Sequence, residues 1–293
     1  MKTIATINFK GGVGKTTVTW CLADILAGYG NNAKVLVFDL DAQMSLTQAI
    51  ALNEETGALH SHFDEWYAKC KNHKKTIFDA LDKFTTPDPR GHFNFGVGYD
   101  FIYKLTDNLH FVPSVEDLYW MELEVFDRNS VKDFIQRILE KIENARTVEK
   151  YDYVLFDCPP SFTLLSYSVL SVCDLVVIPV NPDFFASKGV GLLLDSLRLR
   201  IEPFPTPKIG VFMNKAKTRG AKFTNETEFY WREVKSRCNI AANHNGLKVK
   251  TFETRIPERV GIKRAITANG VPDDLVMPFK NLWTEIIHYI NNG

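Results

Sequence analysis

Short apolar runs alternate with longer stretches of helical spacing along this chain. Thr3–Asn8, Lys34–Phe38, Tyr153–Phe156, Leu175–Val180 and Ile209–Met213 are rich in Ile, Val, Leu and Phe. Runs of that kind suit strands covered on both faces, not the polar–apolar alternation of a half-solvated sheet. Between and after them, Lys15–Tyr29, Ser130–Arg146, Gly189–Arg200, Glu226–Ala242 and Asp274–Asn291 carry apolar residues at helical intervals. Gly28 and Gly30 supply a stop for the first of these helices. The alternation predicts an α/β fold, a mostly parallel β-sheet with helices on both faces. No internal repeat or linker interrupts it, so a single domain over 1–293 is expected.

Leu52 to about Leu105 fits the alternation less well and reads as an insertion on the core. It predicts helices at His60–Lys71 and Ile77–Leu81, a break at Pro87-Asp88-Pro89-Arg90-Gly91, and a hairpin near Phe93–Tyr103. His60, His62, Cys70 and His73 fall here, but their spacing is not that of structural zinc, and they read as solvated side chains.

Composition narrows the class. The chain has 293 residues, 45% hydrophobic and 24% charged, enough to bury a sizeable core. No apolar run approaches the ~20 residues of a membrane span. The N-terminus shows no signal-peptide pattern. Five cysteines, odd in number and without a CxxC pair, argue for a reducing, cytoplasmic setting. The net charge of zero hides an asymmetry, because Arg200–Gly270 holds 15 Lys and Arg against 6 Glu and no Asp. A basic C-terminal third on a neutral chain suits a polyanion, although solvated helix surfaces carry the same residues.

One motif stands out. The strand Thr3–Asn8 runs into Phe9-Lys10-Gly11-Gly12-Val13-Gly14-Lys15-Thr16-Thr17, and a helix follows. A loop that wraps a triphosphate with backbone N–H groups needs side chains absent where it approaches oxygen, and Gly11, Gly12 and Gly14 provide that. The succeeding helix turns its partial positive charge on the same anion. Lys15 suits the β and γ phosphates, and the Thr16 hydroxyl suits Mg²⁺. Phe9 stands where the ordinary phosphate-loop pattern has its first glycine.

With Lys10, that departure resembles the deviant Walker A box of the ParA/MinD family of P-loop ATPases, and the chain is most similar to the ParA partition ATPases. Two further blocks carry the resemblance. Val35-Leu36-Val37-Phe38-Asp39-Leu40-Asp41-Ala42-Gln43 is similar to the family's switch, with Ala42 in place of its proline. Tyr151-Asp152-Tyr153-Val154-Leu155-Phe156-Asp157-Cys158-Pro159-Pro160-Ser161 is similar to its Walker B block. The resemblance implies a P-loop NTPase-type sheet, ATP and Mg²⁺ as ligands, and ATP hydrolysis that is slow and stimulated by a partner.

It also implies roles. Lys10 is expected to reach the partner's ATP in a nucleotide-sandwich homodimer, as an arginine finger does. Asp157 ends its strand beside the phosphate loop and is assigned to Mg²⁺, with Asp39 supporting it. Asp41 should orient the attacking water. Asn214 matches the position that contacts adenine, and Pro257 resembles a second adenine-side segment. Lys215, Arg219, Arg255, Arg259, Lys263 and Arg264 are candidates for sequence-independent DNA contacts through phosphates. The implied cycle has an ATP dimer on the nucleoid and a ParB-like or other adaptor.

Alternatives of the same family are a ParA-like positioner of a protein compartment or cluster and a MinD-like membrane switch. The tail Lys280–Ile290, with one Lys and one Glu, is not the basic amphipathic helix of a membrane switch, and packing on the core is expected. The phosphate-loop strand begins at residue 2, so no operator-reading domain is expected ahead of it.

Overall fold

The computed structural model describes residues 1–29, 31–51, 62–85, 101–121, 128–144, 150–201, 207–220, 222–259 and 270–292. Five of its strands are those expected: β1 (Lys2–Thr6), β2 (Val35–Asp39), β5 (Tyr153–Asp157), β6 (Leu175–Val180) and β7 (Lys208–Ala216). Between β2 and β5 come β3 (Tyr103–Lys104) and β4 (Leu109–Val112). After β7 come the short β8 (Thr218–Arg219) and β9 (Lys222–Phe223), then β10 (Val249–Pro257). The eight-stranded sheet runs β10-β7-β6-β1-β5-β2-β4-β3. All its pairings are parallel except β3 with β4.

Every residue of β2 and of β6 is buried, as double-sided coverage requires. Alternate residues feed two separate cores. Ile4, Val35, Val37 and Leu155 face one, while Ala5, Leu36, Phe38, Val154 and Phe156 face the other. The first core is closed by α1 (Lys15–Ala27) and by the C-terminal helix Asp273–Asn292. The second is closed by helices at Arg128–Asn144, Leu164–Leu170, Phe184–Arg200 and Asn225–Asn245. Helices therefore lie on both faces of the sheet. Leu275, Phe279, Leu282, Trp283, Ile286 and Ile290 of the C-terminal helix are buried, so its apolar stripe belongs to the core.

Two strands of the eight-stranded sheet, β4 and β10, were missed from the sequence, as was the short β8–β9 pair. β4 is four residues long and contains His110, which breaks its apolar run. β10 is an edge strand in which Lys250, Thr251, Glu253, Thr254 and Arg255 interrupt the apolar positions. Its one-sided burial gives it a different signature from the central strands. α2 (Ser45–Ala51) precedes the stretch read as an insertion, which holds α3 (Phe63–Asn72) and α4 (Ile77–Thr85). The chain then returns to pair β4 with β2. Tyr103 and Lys104 pair with Phe111 and His110. The remainder of the expected hairpin, and the break at 87–91, lie outside the described residues. We number the later helices α5 (Arg128–Asn144), α6 (Leu164–Leu170), α7 (Phe184–Arg200), α8 (Asn225–Asn245) and α9 (Asp273–Asn292).

Candidate active site

β1 lies between β5 and β6, so the loop that leaves its C-terminal end emerges over the middle of the sheet. That is where parallel α/β sheets place their ligands. Asn8 anchors the exit: its Nδ2 donates to the Pro179 carbonyl at 2.9 Å and its Oδ1 accepts from the Lys10 amide at 2.9 Å. Gly14 adopts φ +90°, and a Cβ there would sit 2.7 Å from Asn214 Nδ2, so only glycine fits. α1 starts at Lys15 with no side-chain cap and no acidic residue in its first turn. Its leading amides are left for an anion. A cavity of about 290 Å³ opens here, lined by Gly11, Gly12, Gly14, Lys15, Thr16 and Thr17 of the loop. Asp41, Gln43, Ser45, Pro160, Asn214 and Lys215 complete its wall. Val13 faces inward and is buried.

Lys15 is 8% exposed. Burial lowers the pKa of its ammonium, while Asp157, Asp41 and Cys158 act to raise it. The two strand-end carboxylates stand side by side, Asp39 in register with Asp157. Their environments differ. Asp39 Oδ2 accepts from the Thr47 amide at 2.9 Å and hydroxyl at 2.8 Å, and Oδ1 accepts from the Asp41 amide at 3.2 Å. Burial pushes its pKa up to about 6, against the pull of those hydrogen bonds. Asp157 is buried with neither carboxylate oxygen hydrogen-bonded. Burial, and then Asp39, push its pKa well above the usual range, while the Thr16 hydroxyl and Lys15 oppose the shift.

Asp41 faces the cavity from a tightly tied turn. Its Oδ1 accepts from the Gln43 amide at 2.9 Å, and its carbonyl accepts from the Met44 amide and the Ser114 hydroxyl, each at 2.8 Å. Ser114 in turn donates its amide to Thr47 Oγ1 at 2.9 Å. Thr47 and Ser114 carry no motif, and sequence reasoning passed over both. Only the pairing of β4 with β2 brings Ser114 to the switch.

Lys10 stands at the rim. Its Nζ donates to both Asp183 oxygens, at 2.6 and 2.7 Å. Asp183 also caps α7, accepting from the Ala186 amide at 2.8 Å. Burial works to raise the Asp183 pKa, but Lys10 and the α7 amides hold it below the carboxylate norm. On the opposite side, Asn214 Nδ2 donates to the Val13 carbonyl at 2.7 Å, and its buried Oδ1 has no partner. Pro257 ends β10 beside Ala216 and does not line the cavity.

The basic candidates scatter. Lys215 Nζ donates to the Gly12 carbonyl at 2.6 Å. Arg219 is exposed on the β8–β9 hairpin. Arg255 is bonded to Glu228 and stacks on Phe223 at 4.8 Å. Arg259 pairs with Asp274 at 2.8 Å. Lys263 and Arg264 lie outside the described residues.

A mostly parallel sheet whose central strand feeds a glycine loop, with carboxylates ending the next two strands on one side, Asp157 on β5 and Asp39 on β2, defines a P-loop nucleotide-binding protein. Residues 1–204 match the AAA_31 family, an AAA domain, and the chain belongs to that family as a P-loop ATPase of the ParA/MinD group. Among curated relatives, it is 28% identical over 285 residues to the sporulation initiation inhibitor protein Soj of Bacillus subtilis, covering 94% of this chain and 92% of that one. It is 26% identical over 271 residues to the chromosome-partitioning ATPase Soj of Treponema pallidum, covering 92% and 88%. Among solved structures, the ATP complex of McdA from Cyanothece superposes with a TM-score of 0.70 at 20% identity, over 98% of this chain and 96% of that one. A plasmid partition protein of Borrelia burgdorferi gives 0.60 at 20% identity, over 98% and 97%. At such identities the structural likeness speaks for the fold.

Proposed function

We propose that the chain acts as one ATPase domain that binds ATP, closes into a homodimer, holds DNA without sequence preference, and moves a cargo through an adaptor that stimulates slow hydrolysis. The reading is carried by the cavity at Gly11–Thr17, where a buried lysine and uncapped helix amides share the wall with Asp41, and the buried Asp157 carboxylate acts on that lysine. ParA and Soj relatives support the partition ATPase class.

The residues fit Mg²⁺. Asp157 offers two buried oxygens with no protein partner, beside the Thr16 hydroxyl, and hard oxygen donors suit this ion. Thr16 and Asp157 would hold it, with Asp39 supporting them from the next strand, and when bound it supplies charge neutralisation for the phosphates. Lys15 reaches the β and γ phosphates, and Gly11–Thr17 present their amides. Asp41, held by Gln43 and Ser114, orients the water, since phosphoryl transfer rests mainly on positioning and electrostatics. Asn214, in the cavity wall, is the adenine contact, and Pro257, which lies outside that wall, is kept only as the second adenine-side residue that the family resemblance implies.

Lys10 acts in the partner's site once it leaves Asp183. DNA contacts fall to Arg219 and to Lys263 and Arg264, with Lys215, Arg255 and Arg259 also in the basic third; the Lys215 bond to the Gly12 carbonyl and the ion pairs of Arg255 and Arg259 would have to open before those three could contribute. A membrane-switch role loses its support because the apolar face of α9 is buried. Among the described residues, no helix is long and apolar enough to cross a membrane. Size-exclusion and DNA-binding analysis with ADP and with a non-hydrolysable ATP analogue tests the reading. A monomer that ignores DNA in both nucleotides would overturn it.

A further inference from the structure

Two consecutive residues of β7 reach the phosphate loop from across the sequence. Asn214 Nδ2 donates to the Val13 carbonyl at 2.7 Å, and Lys215 Nζ donates to the Gly12 carbonyl at 2.6 Å. Neighbouring residues of a regular strand point to opposite faces, so a regular β7 could not do this. The register explains how it happens. Arg255 of β10 pairs with Met213 and Pro257 pairs with Ala216, which leaves Asn214 and Lys215 of β7 opposite the single residue Ile256. This is a β-bulge, a device that re-aims side chains and gathers near active sites. Lys215 has φ +51°, a left-handed conformation unfavourable for a residue with a Cβ. Among the described residues no carboxylate pairs with Lys215, and its stem lies along the loop, with Cε 3.8 Å from where a Gly14 Cβ would be.

We infer that Lys215 is a positioning residue of the phosphate loop, acting with Asn214 as a two-pronged brace that fixes the direction of the loop's amides. In a planar trans peptide the carbonyl and the following N–H point opposite ways. Holding the Gly12 carbonyl therefore sets the Val13 N–H, and holding the Val13 carbonyl sets the Gly14 N–H. Both amides belong to the segment that a phosphate group would meet. A loop already so oriented binds an anion without the cost of ordering it. The strained backbone at Lys215 is maintained because it delivers this contact.

The inference rests on the nucleotide reading of the site, and its test separates the two. Backbone ¹⁵N order parameters in the nucleotide-free protein are expected near the rigid value, about 0.85, at Val13 and Gly14. In Lys215→Met, which keeps the stem and loses the donor, Val13 is expected to fall below about 0.6. ATP and ADP affinities should drop together, each about tenfold, as expected for loss of a charged hydrogen bond. Lys215→Arg, which keeps a donor, should recover most of both. A flexible Val13 in the wild-type protein overturns the brace without any variant having to fold. So does a Lys215→Met protein with an unchanged loop and a loss confined to ATP, the signature of a direct contact to the terminal phosphate. A wild-type protein that binds neither nucleotide would sink the nucleotide reading, while the order parameters would still decide the brace.

Discussion

Asp183 grips Lys10 through both carboxylate oxygens, at 2.6 and 2.7 Å, while the same carboxylate caps the first turn of α7. The lysine expected to serve a neighbouring subunit is thus held within its own. Both side chains are about one-third exposed, at 35% and 37%, so the pair contributes on the order of 1 kcal/mol or less and can open. Asp183→Asn keeps an acceptor for the Ala186 amide and releases Lys10. It should lower the protein concentration needed for ATP-dependent dimerisation by a few-fold in analytical ultracentrifugation. Lys10→Ala should bind ATP yet stay monomeric. Dimerisation of that variant at wild-type concentrations would refute the trans role.

Lys15 is the buried cation of the loop. Lys15→Ala removes a charged partner of the phosphates and should weaken ATP binding by about a hundredfold in calorimetry. An unchanged affinity would remove this lysine from the site.

Asp41 faces the cavity with its turn tied to Ser114. Asp41→Ala should cut hydrolysis by about a hundredfold or more while sparing ATP binding, trapping an ATP dimer that retains DNA. Turnover at the wild-type rate would count against the assignment. Ser114→Ala, which loosens the turn without touching the carboxylate, should slow hydrolysis by a smaller factor.

Arg219 sits exposed on the β8–β9 hairpin. If it contacts a phosphate, Arg219→Ala should weaken binding to all DNA sequences alike and reduce the slope of log affinity against log salt by about 1. A slope identical to that of the wild-type protein would exclude the contact.

Away from the site, Asp24 accepts the Val271 amide at 2.9 Å, and burial raises its pKa above that of a free carboxylate. A raised carboxyl pKa gives stability that is present below the unfolded-state value and is lost as pH rises through the folded one. Asp24→Asn keeps the acceptor and removes the titration. Its melting temperature should therefore gain on the wild type as pH rises from 4 to 7, and a constant difference over that range would contradict the assigned direction.

Much of the architecture was legible because central parallel strands must be apolar throughout. The runs that became β1, β2, β5, β6 and β7 were readable for that reason, and β6 matches residue for residue. The loop from Phe9 to Thr17 was equally plain, since close approach of backbone to phosphate leaves few residue types able to do the work. β4 and β10 were not legible, one too short and one too polar. Their strand character comes from the neighbours they pair with.

Sequence by itself therefore determined the α/β alternation, the glycine loop and the carboxylates that end β2 and β5, because each depends on local chain chemistry. Tertiary structure alone decided which side chains meet across long separations: Lys10 with Asp183, Ser114 with Asp41, and Asn214 and Lys215 with the loop's carbonyls. Those contacts follow from strand order and from one bulge in β7. Strand order and register are fixed by how the two cores pack, which no local pattern in the chain encodes.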